Sequence, residues 1–160
     1  MKMFTDLHFD SYQNSLNIIV NNIITYGEHL KGVLFFYIPN QFWPTKPSGS
    51  GSVLANNLNY DGFSNVAVSF FGEGFLNFGY IGILMFIVVL AKLNSYFDCR
   101  FWMQEKSESY FTIIYLLMIP FEFFILRGSL KAPFANFCGY VFFTVIAYIL
   151  FRKFSLNKRV

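Results

Sequence analysis

The chain has 160 residues, of which 55% are hydrophobic, 22% aromatic and only 13% charged. Soluble domains carry about 25% charged residues, so this balance points to a membrane protein and away from a soluble globular one. The net charge of +3 is small and dispersed, which argues against nucleic acid as a partner.

At the N-terminal end, His8-Phe9-Asp10 sets an imidazole next to a carboxylate, an arrangement suited to proton transfer. Tyr12, Leu16, Ile19, Val20, Ile23 and Ile24 then recur at helical spacing among asparagines. They predict an amphipathic helix lying on the bilayer or against other spans, with Gly27 as its end. It has no basic residue before Lys31 other than Lys2, so attraction to anionic lipid is not its purpose. Leu30 to Ile38 forms a second apolar piece.

From Phe35 to Pro47 the chain is aromatic and broken by Pro39, Pro44 and Pro47, which rules out a continuous helix. It contains Trp43 and Lys46, the latter held between Pro44 and Pro47. Gly49 and Gly51 follow, where backbone N–H groups could face an anion. A solvated lysine is the plainer reading of Lys46. Residues 48–64 are rich in Gly, Ser and Asn and read as a mobile loop.

Three apolar runs have the ~17–25 residues that a helix needs to cross a bilayer. They are Glu73 to Lys92, Tyr110 to Leu126, and Pro133 to Phe151. A polar loop, Leu93 to Ser109, joins the first two, and a short turn, Arg127 to Ala132, joins the last two. The second run carries Pro120 and Glu122, so it is expected to be kinked or packed inside a bundle. Cys99 falls in the polar loop and Cys138 in an apolar run, and His8 and His29 are far apart. No disulfide framework or metal motif is present.

Orientation follows the basic residues. Lys92, Arg100 and Lys106 in the loop join Arg152, Lys153, Lys158 and Arg159 in the tail, seven of the 12 Lys and Arg residues. That face is expected to be cytoplasmic, leaving residues 1–72 extracytoplasmic. No signal peptide precedes them. The chain therefore reads as the C-terminal part of a longer protein with further spans upstream. The expected fold is an all-α membrane protein, with an extracytoplasmic region (1–72) of amphipathic helix and irregular loop, and a three-span transmembrane region (73–160).

In this topology Lys46, Glu73, Glu122, Arg127 and Lys131 gather at the outer membrane surface. Glu73, in the first turn of its span, either favours the positive end of the helix dipole or serves as a general base. Glu122 lies about 7 Å below Arg127 on a regular helix, where an ionisable group is costly. It reads as functional or as half of a structural ion pair. Arg127, before Gly128-Ser129, offers a planar fork for phosphate or carboxylate, or simply reaches to the interface. Gly72, Gly74, Gly79 and Gly82 allow close approach of a helix or lipid chain.

As an ordered set, these pieces resemble the C-terminal part of bacterial O-antigen or capsule repeat-unit polymerases, a family of many-span inner-membrane glycosyltransferases. The series is His8-Phe9-Asp10-Ser11-Tyr12; Phe35 to Pro47 running into Ser48-Gly49-Ser50-Gly51; Phe71-Gly72-Glu73-Gly74 with Asn77-Phe78-Gly79 and Gly82; and Leu126-Arg127-Gly128-Ser129. The resemblance implies transfer of a glycan from undecaprenyl pyrophosphate to a hydroxyl of the next lipid-linked repeat unit. It implies no nucleotide sugar, cofactor or dedicated metal, and a chain-length regulator protein as partner. On this reading Glu73 or the His8/Asp10 pair deprotonates the acceptor. Arg127 and Lys46 hold pyrophosphate, and Trp43, Asn77 and Glu122 complete the substrate-binding set. One departure is Ile38-Pro39-Asn40, where the family pattern has Ile-Pro-Arg. A transporter or flippase component for polyprenyl-linked glycans is the alternative, and a degenerate remnant a third.

Overall fold

A computed structural model describes residues 11–59, 66–103 and 110–157. The described residues form helices only: α1 (Ser11–Val20), α2 (Glu28–Leu34), α3 (Ser50–Leu58), α4 (Phe70–Trp102), α5 (Tyr110–Arg127) and α6 (Lys131–Asn157). Three of these, α4, α5 and α6, are long and apolar enough to cross a membrane.

The first helix docks through a face that mixes small polar and apolar residues. Asn14, Ser15 and Ile18 are buried, while Tyr12 and Val20 are 71% and 79% exposed. Asn14 Nδ2 donates to the Ala67 carbonyl, and Ser15 Oγ lies 2.7 Å from Ser69 Oγ. Of the two expected placements, packing against a span is the one found. The helix stops at Val20, before Asn22 adopts a left-handed φ of 50°. Gly27, expected as its end, instead begins α2 at a φ of 84°.

The expected first span is two legs, not one. Phe78 and Gly79 leave helical geometry, with Gly79 at φ 64°, ψ −148°. Residues eight apart in a straight helix are separated by about 12 Å. Here Gly74 and Gly82 touch backbone to backbone: a Cβ built on Gly82 would lie 2.0 Å from the Gly74 carbonyl oxygen. Phe70 and Phe86 also meet, with ring centroids 5.2 Å apart. A short leg, 70–77, therefore folds back along a long leg, 80–102. Two glycines face each other because no side chain fits between the legs.

The long leg continues to Trp102, so most of the expected polar loop is helix and Cys99 sits exposed on it. It runs antiparallel to α5, joined by Asn94 to Glu122, Asp98 to Tyr115, and the stacked pair Phe97–Phe111. In turn α5 runs antiparallel to α6 through Phe121–Phe137 and Tyr110–Tyr148. Pro120 lies within α5, which continues through it as one helix. Ile114 is the buried residue of α5, so this chain by itself does not pack α5 inside a bundle.

Residues 50–58 are helical, contrary to the expected mobile loop. Gly51 permits it: its backbone lies so close to Val66 that a Cβ would sit 1.9 Å from the Val66 carbonyl oxygen. Leu54 joins Ile18, Val66, Val68, Phe75 and Leu76 in one buried cluster. Val33, Phe70, Phe86 and Leu130 form a second. Both clusters lie about the short leg, which carries the polar residues of the site.

Candidate functional site

The short leg places Glu73 and Asn77 one turn apart, both fully buried. Ser69 opens the leg as its N-cap, accepting from Gly72 N at 3.4 Å. Its closing carbonyls find donors in the segment before α2. Thr25 N and Oγ1 both donate to the Leu76 carbonyl, at 2.7 and 2.9 Å, and Gly27 N donates to that of Asn77 at 3.0 Å. Gly27 has no side chain to cap α2, and Asn77 supplies the acceptor from across the fold. Asn77 Oδ1 accepts from Leu30 N at 2.8 Å, and Nδ2 donates to the Glu73 carbonyl at 2.9 Å.

Glu73 is the meeting point of three separate segments. Its Oε1 accepts from Ser50 Oγ at 2.6 Å, at the start of α3, and from Leu130 N at 2.8 Å, in the turn before α6. Ser50 Oγ and Ser129 Oγ lie 3.3 Å apart. On the other side, Oε2 lies 3.2 Å from Nδ1 of His29, on α2. Those two atoms are close but not aligned as a hydrogen bond. Both of them and His29 Nε2 are buried without a hydrogen-bond partner. His29, 1% exposed, is pushed down to a pKa of about 4 by burial and then by the Lys131 charge. It is neutral at pH 7.

The loop from Phe35 to Pro47 is irregular, as its prolines demand, and is folded about Lys46. The ammonium donates to the carbonyls of Phe36 at 2.6 Å and Ile38 at 2.9 Å. Lys131 Nζ donates to the Pro47 carbonyl at 2.8 Å, tying the loop to the start of α6. Neither ammonium has a carboxylate partner among the described residues. Trp43 is half-buried within the loop's turns, its backbone N–H donating to the Pro39 carbonyl. Beside this loop a cleft of about 580 Å³ is lined by Phe36, Ser52, Ser129, Lys131 and Asn136, among others. An apolar groove of about 340 Å³ runs along the long leg, past Leu30, Phe70, Met85, Val89 and Leu130.

The predicted site residues thus divide. Glu73 and Asn77 come together with the Lys46 loop and Ser129. Arg127 is exposed at the end of α5, next to this turn. Glu122 stands apart, accepting from Asn94 between α5 and the long leg, and it forms no ion pair with Arg127 among the described residues. His8 and Asp10 lie outside the described residues. Sequence reasoning missed His29 and Ser50. A lone histidine on a seven-residue helix and a serine in a Gly/Ser run carry no spacing signal, and only the fold sets them against Glu73. Comparison with protein-family models, with curated proteins and with solved structures finds no match.

Proposed function

We propose that this chain belongs to a bacterial inner-membrane glycosyltransferase that polymerises lipid-linked oligosaccharide repeat units. The observation that supports this reading is convergence. Three of the four sequence pieces that prompted it are separated along the chain, yet Ser50, Glu73 and the Ser129-Leu130 turn are hydrogen-bonded together. The cleft beside them carries the Lys131 ammonium and the Ser52 and Ser129 hydroxyls, groups suited to a diphosphate, and the neighbouring apolar groove suits a polyprenyl chain.

In the proposed reaction an acceptor sugar hydroxyl attacks the anomeric carbon of the donor glycan. The new glycosidic C–O bond forms as the bond from that carbon to the diphosphate oxygen breaks. Undecaprenyl diphosphate leaves with the electron pair, and a base takes the hydroxyl proton. Lys131 and Lys46, with Arg127 at the edge, hold the charge of the leaving diphosphate. Glu73 has no surface to offer a substrate, so its part is to position Ser50 and the turn. The base is then the His8/Asp10 pair. In this scheme the cleft faces the extracytoplasmic side, the tail is cytoplasmic, and a chain-length regulator acts alongside.

A transporter of the same lipid-linked glycans is the second reading. Transporters build their polar sites near the bilayer midplane, from interrupted helices. The break at Phe78-Gly79 fits that pattern, but Glu73 is tied to Leu130, at the very start of α6, which favours chemistry at a surface. The test is complementation of a polymerase-deleted strain, scored as a glycan ladder on a gel, with this chain alone and joined to any coding sequence upstream. A ladder from the joined form supports polymerisation by this chain within a longer protein. No ladder from either, with both present in the membrane, rejects it in favour of transport or of a degenerate remnant.

A further inference from the structure

The long leg and α5 carry charge of both signs at depths where lipid is a poor solvent for either. Asn94 Nδ2 donates to Oε1 of Glu122, and the Tyr115 hydroxyl donates to Oδ1 of Asp98, which sets the register of the long leg against α5. Glu122 and Tyr115 each lie five residues in from an end of α5, so both carboxylates stand about 7 Å inside the span. Their hydrogen-bond donors are neutral, and neither carboxylate forms an ion pair among the described residues.

Lys92 lies two residues from Asn94, about 3 Å toward the Arg127 end, which brings it level with Glu122. Two residues are also a rotation of about 200°, so Lys92 faces away from α5. It is exposed and has no hydrogen bond or ion pair among the described residues. A groove of about 590 Å³ runs along this face past Lys92, Ser95 and Tyr96. Ionisable side chains within a span almost always face protein or a watery cavity, and pair there.

We propose that copies of this chain associate side by side in the membrane, the Lys92 face of one docking on the Glu122 and Asp98 seam of the next. The match in depth is what points to a second copy. Copies inserted in the same sense are related by rotation about the membrane normal, which leaves every depth unchanged. Lys92 of one copy therefore meets its neighbour at the level of Glu122. Arg100, which donates to Tyr96 and lies over the Phe111 ring, sets a second positive charge within about 3 Å of the level of Asp98. On the seam, Ile119 is 52% exposed between Tyr115 and Glu122 and offers an apolar ridge to the groove. The small side chain of Ser95 leaves room for that ridge. Two-fold pairing of the Lys92 face with itself would set ammonium against ammonium. The contact is therefore head-to-tail, each copy giving one face and receiving the other. The inference goes beyond the proposed reaction and does not depend on it.

Sedimentation equilibrium of the full 160-residue chain in density-matched detergent tests it. The native chain should form oligomers whose share rises with its concentration in the micelles. Lys92→Glu and Glu122→Lys each set like charges across the contact and should weaken association about tenfold or more. An equal mixture of the two variants should restore it, because each then offers the face that the other accepts. A native chain that stays monomeric overturns the proposal and leaves the face to a different helix. Unchanged association in the single variants overturns it too, as does a mixture of two helical variants that stays apart. Should a charge reversal fail to fold, Lys92→Gln and Glu122→Gln decide, since glutamine still accepts from Asn94. Weakened association in both supports the proposal, and native association in either overturns it.

Discussion

At the scale of single residues, Glu73 poses the sharpest question, because the same carboxyl suits two different roles. As a general base it must ionise and reach a hydroxyl, yet it is closed to solvent and its Oε1 is committed to Ser50 and Leu130. Glutamine keeps that acceptor and the side-chain shape but cannot act as a base. On the proposed reading, Glu73→Gln is therefore expected to leave a normal glycan ladder in the complementation test. Glu73→Ala strands the Leu130 N–H and the Ser50 hydroxyl in a buried site, at a cost of about 3 kcal/mol. It should lower the melting temperature in detergent and remove the ladder. Loss of the ladder in Glu73→Gln at unchanged melting temperature would return Glu73 to the role of base. The Lys131 ammonium invites a parallel test. Lys131→Gln retains a donor for the Pro47 carbonyl but removes the charge. It should therefore weaken use of the diphosphate-linked donor about tenfold or more while the fold survives.

At the scale of elements, the helical hairpin within α4 decides what the site can be. A straight helix through 70–102 would carry Glu73 far from Leu130, whereas the reversal at Phe78-Gly79 sets the short leg beside α2, α3 and the start of α6. The reversal rests on glycines with distinct jobs. Gly79 supplies φ 64° with ψ −148°, a backbone region essentially confined to glycine, which a side chain makes costly by ~1–3 kcal/mol. Gly82 supplies room, since alanine there meets the Gly74 carbonyl at 2.0 Å. Gly82→Ala is expected to separate the legs and cost about 3 kcal/mol. Gly139→Ala, on the open face of α6 with nothing within 4 Å, serves as the neutral comparison. Thermal unfolding of the two variants in the same detergent measures the difference, and equal melting temperatures would argue against the close approach.

The same hairpin shows how far the sequence was legible. The second and third apolar runs coincide closely with α5 and α6, because hydrophobicity and length alone determine a span. The glycines before Ile83 were visible as a cluster that allows close packing. That they pack against each other, turning one apparent span into two legs, was not, since hydropathy reads straight through Phe78-Gly79. The helix at Ser50–Leu58 was hidden for the opposite reason. Its Gly and Asn content suggests a loop, and only burial of Leu54 and Ala55 against the short leg overrides that propensity. In the site, Glu73, Asn77 and Lys46 stood out by charge or motif, whereas His29 and Ser50 contribute through position alone.

At the scale of the whole molecule, the apolar surface and the polar site divide along the helix axes. Ile81, Leu84, Phe123, Phe142 and Phe151 stand exposed on α4, α5 and α6, as side chains facing lipid do. The cleft, Lys46 and Lys131 sit at one end of these helices, and Cys99, Arg100 and Trp102 lie at the opposite end of the long leg. Cys99 is exposed, whereas Cys138 is half-buried on α6. The proposed orientation can therefore be read with two thiols. In spheroplasts, a membrane-impermeant maleimide should label Ser52→Cys in a Cys99→Ser, Cys138→Ser chain, because the cleft faces outward. Native Cys99 should react only once the membrane is opened, because the end of the long leg lies on the side of the basic loop and tail. Labelling of Cys99 in intact spheroplasts, with Ser52→Cys protected, would invert the topology. The cleft would then open to the cytoplasm, and the polymerase reading, which places the reaction at the outer face of the membrane, would fall with the orientation.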